Sequence, residues 1–326
     1  MSNCSEATST NLSQTFSDGF RAGTATFTII LILGTVFGNT LVIAAFSLYE
    51  RIRTVTNYFL VSLACTDLCV ALFSMPVWVA YLLTGPAWVL GASLSRVWTM
   101  VDILIGTASI MNLMVISFDR VLCIKHPLRY KLWMTTRKVT VIISFVWLYS
   151  FGVAVSSFFL YHKPIFNLIA TVVCFCVPLL VITTAYSVIF RVALHQMKQI
   201  HATTPAQHPR RNSSFLKELK AAKTLAVVVG AFVICWLPFI TINTIYSLCD
   251  PQSCPVVKPE VILVTKWMHY GNSLLNPIIY TFLNHDFRRA FKALLFSRNS
   301  SLQGGIFTET RMSAAINSAF HVEQPK

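Results

Sequence analysis

Two acidic residues lie where acidic residues are expensive. Asp102 is the only charged side chain between Val97 and Phe118, and Asp67 immediately precedes the uncharged stretch Leu68 to Ser95. A carboxylate at membrane depth needs a specific reason, and the reason expected for Asp102 is a cationic ligand that pairs with it. The plainer alternative is a structural carboxylate paired with a hydroxyl or a neighbouring base. Arg96 is the nearest base in the chain, and six positions of helix put it on another face. The two aspartates are about two helical turns or more apart in depth, so they form no acid–base dyad, and no other catalytic constellation accompanies them. An intramembrane enzyme is therefore not expected.

Seven apolar stretches must position these groups. Ala22 to Tyr49, Leu68 to Ser95, Val139 to His162, Pro164 to Phe190, Thr224 to Cys249 and Trp267 to His285 carry no Asp, Glu, Lys or Arg, and Val97 to Phe118 carries Asp102 alone. Each is near or above the roughly 20 residues that cross a bilayer as helix. The hydrophobic fraction of 55% and the mean hydropathy of +0.64 agree. The expected fold is an all-α seven-transmembrane helix bundle spanning 22–285. An extracellular tail at 1–21, an amphipathic inner-surface helix at 286–296 and a cytoplasmic tail at 297–326 complete it.

Orientation follows from the basic residues, which are retained on the cytoplasmic side. With the N-terminus outside, all but five of the 26 Lys and Arg fall inside, the five being Arg21, Arg96, Lys163, Lys258 and Lys266. The net charge of +14 is thus an orientation signal; it is spread over separate short loops, so nucleic acid is not an expected partner. The first two dozen residues lack the features of a cleaved signal peptide. Asn3 and Asn11 head glycosylation sequons on the outer side. Cys249 and Cys254 flank an Asp-Pro-Gln-Ser turn, where a loop-closing disulfide is expected, with Cys4 either free or paired elsewhere. The N-terminal tail, His201 to Ser214 and the tail after Ser297 read as disordered. From Asp286 to Leu295, phenylalanines and leucines take one helical face and bases the other, as in a helix lying at a membrane surface. No internal repeat is present, and charge in the spans is confined to the two aspartates, so neither a transporter nor a channel is favoured.

An ordered set of residues within the spans sharpens the picture. Gly38-Asn39, Leu63-Ala64-Cys65-Thr66-Asp67, Asp119-Arg120-Val121, Trp147, Pro178, Tyr186, Cys235-Trp236-Leu237-Pro238 and Asn276-Pro277-Ile278-Ile279-Tyr280 follow one another through the seven spans. In this the chain resembles the rhodopsin-like G-protein-coupled receptors, and within them the biogenic-amine receptors. The resemblance implies a plasma-membrane receptor for a small-molecule amine. Its partners would be a heterotrimeric G protein, arrestin, a receptor kinase and membrane lipid.

Site residues follow from the same resemblance. Asp102, seventeen positions before Asp119 and about 25 Å away along a helix, stands where amine receptors hold the carboxylate that pairs with a protonated amine. Trp267 and Tyr270 match the aromatics that close over the pair. Trp236, Phe239 and Asn243 would line span six toward the cavity, with Thr171 on span five. Around Asp67, the residues Asn39, Ser109, Trp236, Asn272, Ser273 and Asn276 match a cluster that binds a sodium ion as an allosteric ligand, the alternative being a protonated Asp67 in a hydrogen-bond network. Arg120, beside Asp119 and near Glu218, matches an ionic latch, whose alternative is a surface ion pair of little worth. Ile110, Pro178 and Phe232 match a packing switch, and Tyr186 and Tyr280 belong to the same activation set. No other cofactor is implied.

The chain also departs from the family. Ser95 replaces the cysteine that anchors span three, and the second outer loop is a handful of residues around Tyr161 to Phe166 without a cysteine. One expectation is therefore a receptor-fold protein with impaired amine binding. Val121 replaces the tyrosine after Asp119-Arg120. Ala170, Thr171 and Cys174 stand where catecholamine receptors place serines, and Ile240 replaces a second aromatic. Tyr270 stands where opsins carry the retinal-binding lysine, which excludes an opsin.

Overall fold

A computed structural model of the chain describes residues 17–84, 91–160, 163–202, 209–248 and 257–296. Helix α1 (Asp18–Leu48) starts where the Ser17 hydroxyl accepts the Phe20 N–H at 3.3 Å, with Asp18 in the first turn facing the positive end of the helix dipole. After a short turn of helix at Glu50–Ile52, α2 spans Val55–Thr84. α3 follows as Gly91–Lys125, and a short helix at Pro127–Trp133 leads into α4 (Thr136–Leu160). α5 consists of Pro164–Thr171, a wide turn at Val172–Cys176 and Val177–Ala202; α6 is Pro209–Leu248, α7 Pro259–Leu283 and α8 His285–Phe296. Among the described residues there is no strand.

The helices form the seven-transmembrane bundle expected from the apolar stretches. α3 is central, packed on α2, α4 and α5, and α7 closes the ring between α6 and α1. Among the described residues, six helices are long and apolar enough to cross a membrane. α7 is longer than a span requires, and it carries Lys266, His269, Asn272, Ser273 and Asn276, all buried. Outward-facing Leu33, Leu148, Phe159, Leu180 and Phe282 are each more than half exposed, as lipid contact demands of a protein whose polar groups point inward.

Two wide turns bring particular side chains inward. The one at Val70–Ser74 in α2 precedes Pro76, which has no N–H to donate, and it buries Ser74 completely. Its counterpart in α5 turns Phe175 into the core. Gly38 is a close-approach position: a Cβ there would lie 2.6 Å from Cγ of Pro277, so α1 and α7 touch because residue 38 has no side chain.

Several boundaries differ from the sequence expectation, the largest being α2, which runs Val55–Thr84 where the apolar stretch is Leu68 to Ser95, so that Asp67 lies within the helix; α3 likewise starts at Gly91, before Val97. α7 begins at Pro259, and Lys266 is therefore inside the bundle rather than in a loop. α6 begins at Pro209, within the stretch expected to be disordered, because Lys217 to Lys223 are strong helix formers that extend it. α1 starts at Asp18, four residues before the apolar stretch, on its Ser17 cap. An amphipathic helix follows α7 as α8, capped by Asn284, whose Oδ1 accepts the Asp286 N–H at 3.1 Å; Phe287, Ala290 and Phe291 are buried beneath it.

Candidate functional site

Asp102 sits on α3 at one end of the bundle, and it is already paired. Nζ of Lys266 on α7 donates to Oδ2 of Asp102 at 2.8 Å, and the Ser74 hydroxyl donates to Oδ1. The Ser74 oxygen also lies 3.1 Å from the Tyr270 hydroxyl, and Nε1 of Trp98 donates to the Ser74 carbonyl at 3.2 Å. The side chain of Lys266 is 7% exposed and that of Asp102 16%. This overturns the expectation that the chain itself leaves Asp102 without a base. Arg96, the nearest base in sequence, lies on α3 itself, whereas the base that pairs with Asp102 comes from α7.

Four rings surround the ammonium. Nζ of Lys266 lies 4.6 Å from the ring centre of Phe239, 4.9 Å from Tyr270, 5.1 Å from Trp98 and 5.9 Å from Trp78. Aromatic faces attract cations at such distances. The arrangement is an ammonium site: a carboxylate at the base and aromatic walls. Beneath it His269, buried, stacks on Phe239 at 4.6 Å and meets Trp236 edge-on at 4.2 Å, linking the box to the core.

Deeper, Asp67 on α2 is 1% exposed and accepts from Nδ2 of Asn276 at 2.8 Å, with Ser273 as a second side-chain partner. Asn39 donates to the carbonyls of Thr35 and Ser273. Ser109 and Asn272 are buried too, and Oδ1 of Asn272 has no hydrogen-bond partner among the described residues.

At the other end of α3, Asp119 is the hub. Its Oδ2 accepts from Arg120 Nη2 at 2.6 Å and Thr56 Oγ1 at 2.7 Å, and its Oδ1 from the Tyr130 hydroxyl at 2.6 Å. Arg120 is 5% exposed, so this is a buried pair and not a solvated one. Burial and the nearby Asp119 push the Tyr130 phenol up, which keeps it a donor.

Comparison with known sequences agrees with this geometry. Residues 38–166 and 159–280 match the 7 transmembrane receptor (rhodopsin family). The chain belongs to the rhodopsin family of seven-transmembrane receptors. Among similar proteins, a D(1) dopamine receptor of Carassius auratus is 35% identical over 92% of this chain and 97% of its own length. A Histamine H2 receptor of Cavia porcellus is 34% identical over 84% of this chain and 79% of its own length, and a D(1A) dopamine receptor of Xenopus laevis is 35% identical over 85% and 73%.

In this receptor the remaining expected residues fall into two groups. Tyr270, Trp236 and Phe239 do gather around the Asp102 end, and Phe232, stacked on Trp236 at 5.2 Å, shares a core cluster with Ile110. Pro178, Tyr280 and the half-buried Tyr186 lie at the bundle interior. Trp267 does not close over Asp102: its Nε1 donates to Thr28 at 3.3 Å and its ring meets Phe27 edge-on, so it faces α1. The Thr171 hydroxyl donates to the Asn167 carbonyl at 2.8 Å, and Asn243 is exposed on α6. Glu218 is on α6, but its side chain is outside the described residues, as are Cys249, Cys254, Asn3 and Asn11. α4 ends at Leu160 and α5 begins at Pro164, with the Lys163 N–H bonded to the Leu160 carbonyl at 2.9 Å.

Lys266, Ser74, Trp78, Trp98 and His269 are the residues that sequence reasoning missed. Lys266 precedes Tyr270 by four positions and so shares its helical face. That spacing is the available signal, and it is masked because the charge-free stretch starts one residue later, at Trp267.

Proposed function

We propose that this receptor responds to a ligand carrying a protonated amine, bound at Asp102, and passes the signal to a heterotrimeric G protein. The observation that carries the reading is the carboxylate of Asp102 within a box of four aromatic rings that already accommodates an ammonium group. Similarity to receptors named for dopamine and histamine supports it. The ligand enters from outside, with the N-terminus on that side of the plasma membrane. It exchanges with Lys266 on Asp102 and contacts Phe239 and Trp236. Through Trp236 and Phe232 it favours the state in which α6 swings outward, a population shift set by its differential affinity for the two states. In that state the G protein engages Arg120, the segment at Pro127 and the neighbouring ends of α5 and α6. Arrestin and a receptor kinase act at the same face.

A sodium ion is the allosteric ligand proposed for the Asp67 cluster. The donors suit a small hard cation: one carboxylate, the hydroxyls of Ser109 and Ser273, and the buried amide oxygen of Asn272, which has no partner among the described residues. The ion supplies a positive charge that compensates Asp67 in the inactive state.

The short link between α4 and α5, together with Ser95, favours a second reading, in which the fold persists but amine binding is impaired. Both are tested by presenting a panel of amines to the receptor and to Asp102→Asn, reading nucleotide exchange on a purified G protein alongside surface expression. A response abolished by the substitution at unchanged surface level supports the first. Silence of a well-expressed wild type supports the second.

A further inference from the structure

Lys266 places a condition on the ligand that an open carboxylate would not. Asp102 and Lys266 together are neutral, and they share a space walled by Trp78, Trp98, Phe239 and Tyr270. A simple amine entering this space has two options. It can displace Lys266 from Oδ2, or it can join Lys266 on the two oxygens of the same carboxylate. Either way two cations share one anion among aromatic rings, where an uncompensated charge is costly. His269, the other titratable base facing the box, lies behind Phe239 and carries no negative charge to offer.

We propose that the ligand is a zwitterion of the amino-acid type, its ammonium on Asp102 and its acid group on Lys266; this rests on Asp102 being the ligand anchor. With both charges supplied by one molecule, the count of positive and negative groups stays balanced before and after binding. The geometry allows the exchange. Lys266 and Ser74 hold different oxygens of Asp102, so Ser74 keeps the carboxylate oriented while Lys266 moves away. The lysine stem is flexible, and its Nζ can shift between the Phe239 and Trp98 faces without leaving aromatic contact. The apolar body of the ligand then lies against Phe239, next to Trp236.

Matched compounds on the full-length receptor in membranes test this: tyramine against tyrosine, histamine against histidine, and the deaminated acid of tyrosine as a third arm. On the wild type the amino acids are expected to activate the G protein at concentrations about thirtyfold or more below those of their amines, the factor that corresponds to leaving one buried charge without its partner. On Lys266→Met the preference reverses toward the amine, and the deaminated acid is inactive on both. If Lys266→Met does not reach the surface, Lys266→Gln serves, because it removes the charge and keeps a polar group. Amines that act as well as the amino acids, with a ratio untouched by either substitution, overturn the zwitterion and leave the amine reading standing. Activation by the deaminated acid alone overturns both, as does silence of every compound on a surface-labelled wild type.

Discussion

Nζ of Lys266 on α7 and Oδ2 of Asp102 on α3 are 2.8 Å apart in a nearly closed space, so each is the counter-charge that allows the other to be buried. Removing one alone leaves the other exposed to the full cost of desolvation. Lys266→Ala is expected to lower unfolding stability by about 3–5 kcal/mol, whereas Lys266→Met combined with Asp102→Asn recovers most of it. Thermal unfolding of the purified receptor in detergent measures both. Additive losses, with the double variant destabilised by as much as the two single variants together, would show that the pair is not coupled.

The same single variant offers a rescue experiment. An amine that takes the place vacated in Lys266→Ala should restore stability by binding only the folded state, about 2.7 kcal/mol at a concentration one hundred times its dissociation constant. Tyramine should therefore raise the melting temperature of Lys266→Ala more than that of the wild type, in which Lys266 competes for Asp102. An equal rise in both would mean the amine binds elsewhere.

Gly106 on α3 faces Trp236 on α6, and a Cβ there would lie 2.6 Å from Cη2 of the indole. The ring is walled in by Phe232, Phe239 and His269 and has little room to retreat. Gly106→Ala should cost about 1–3 kcal/mol through overpacking and displace the indole. Tryptophan fluorescence and thermal unfolding report it, and an additional Trp236→Phe should relieve it. No change in either measurement would mean that α3 and α6 separate freely.

Asp119 collects donors from Thr56, Arg120 and Tyr130. Asp119→Asn removes the charge that holds Arg120, and basal nucleotide exchange on the G protein should rise without ligand. Tyr130→Phe removes one hydrogen bond to an ionised group and should cost about 1.5–3 kcal/mol. Because the folded phenol titrates above its unfolded value of about 10, its stabilising contribution is constant below that pH and is lost only as pH climbs beyond it. Stability differences between wild type and Tyr130→Phe should thus be flat from pH 6 to 9 (about neutral conditions). A slope in that window would assign the titration to another group.

For the Asp67 cluster, replacing choline chloride by sodium chloride at equal ionic strength should raise the melting temperature of the wild type and leave Asp67→Asn unmoved. Indifference of the wild type would favour a protonated Asp67 held by Asn276 and Ser273 alone.

What the chain order alone determined is the bundle, because a bilayer admits a long apolar segment in essentially one backbone form, and residues 22–285 are a succession of such segments. It also determined the depth of Asp102 and its distance from Asp119, since both ride one helix of known rise. The partners of those charges were a different matter. Lys266 meets Asp102 across 164 positions of chain, Ser74 is turned inward by a wide helical turn, and Trp267, one residue beyond Lys266, faces α1 instead. Which face of α7 looks into the bundle is decided by packing against α6 and α1, through contacts such as Gly38 on Pro277, and a rotation of one residue's angle exchanges a tryptophan for a lysine beside Asp102. Local periodicity places a residue along its helix; only the neighbouring helices choose what it touches.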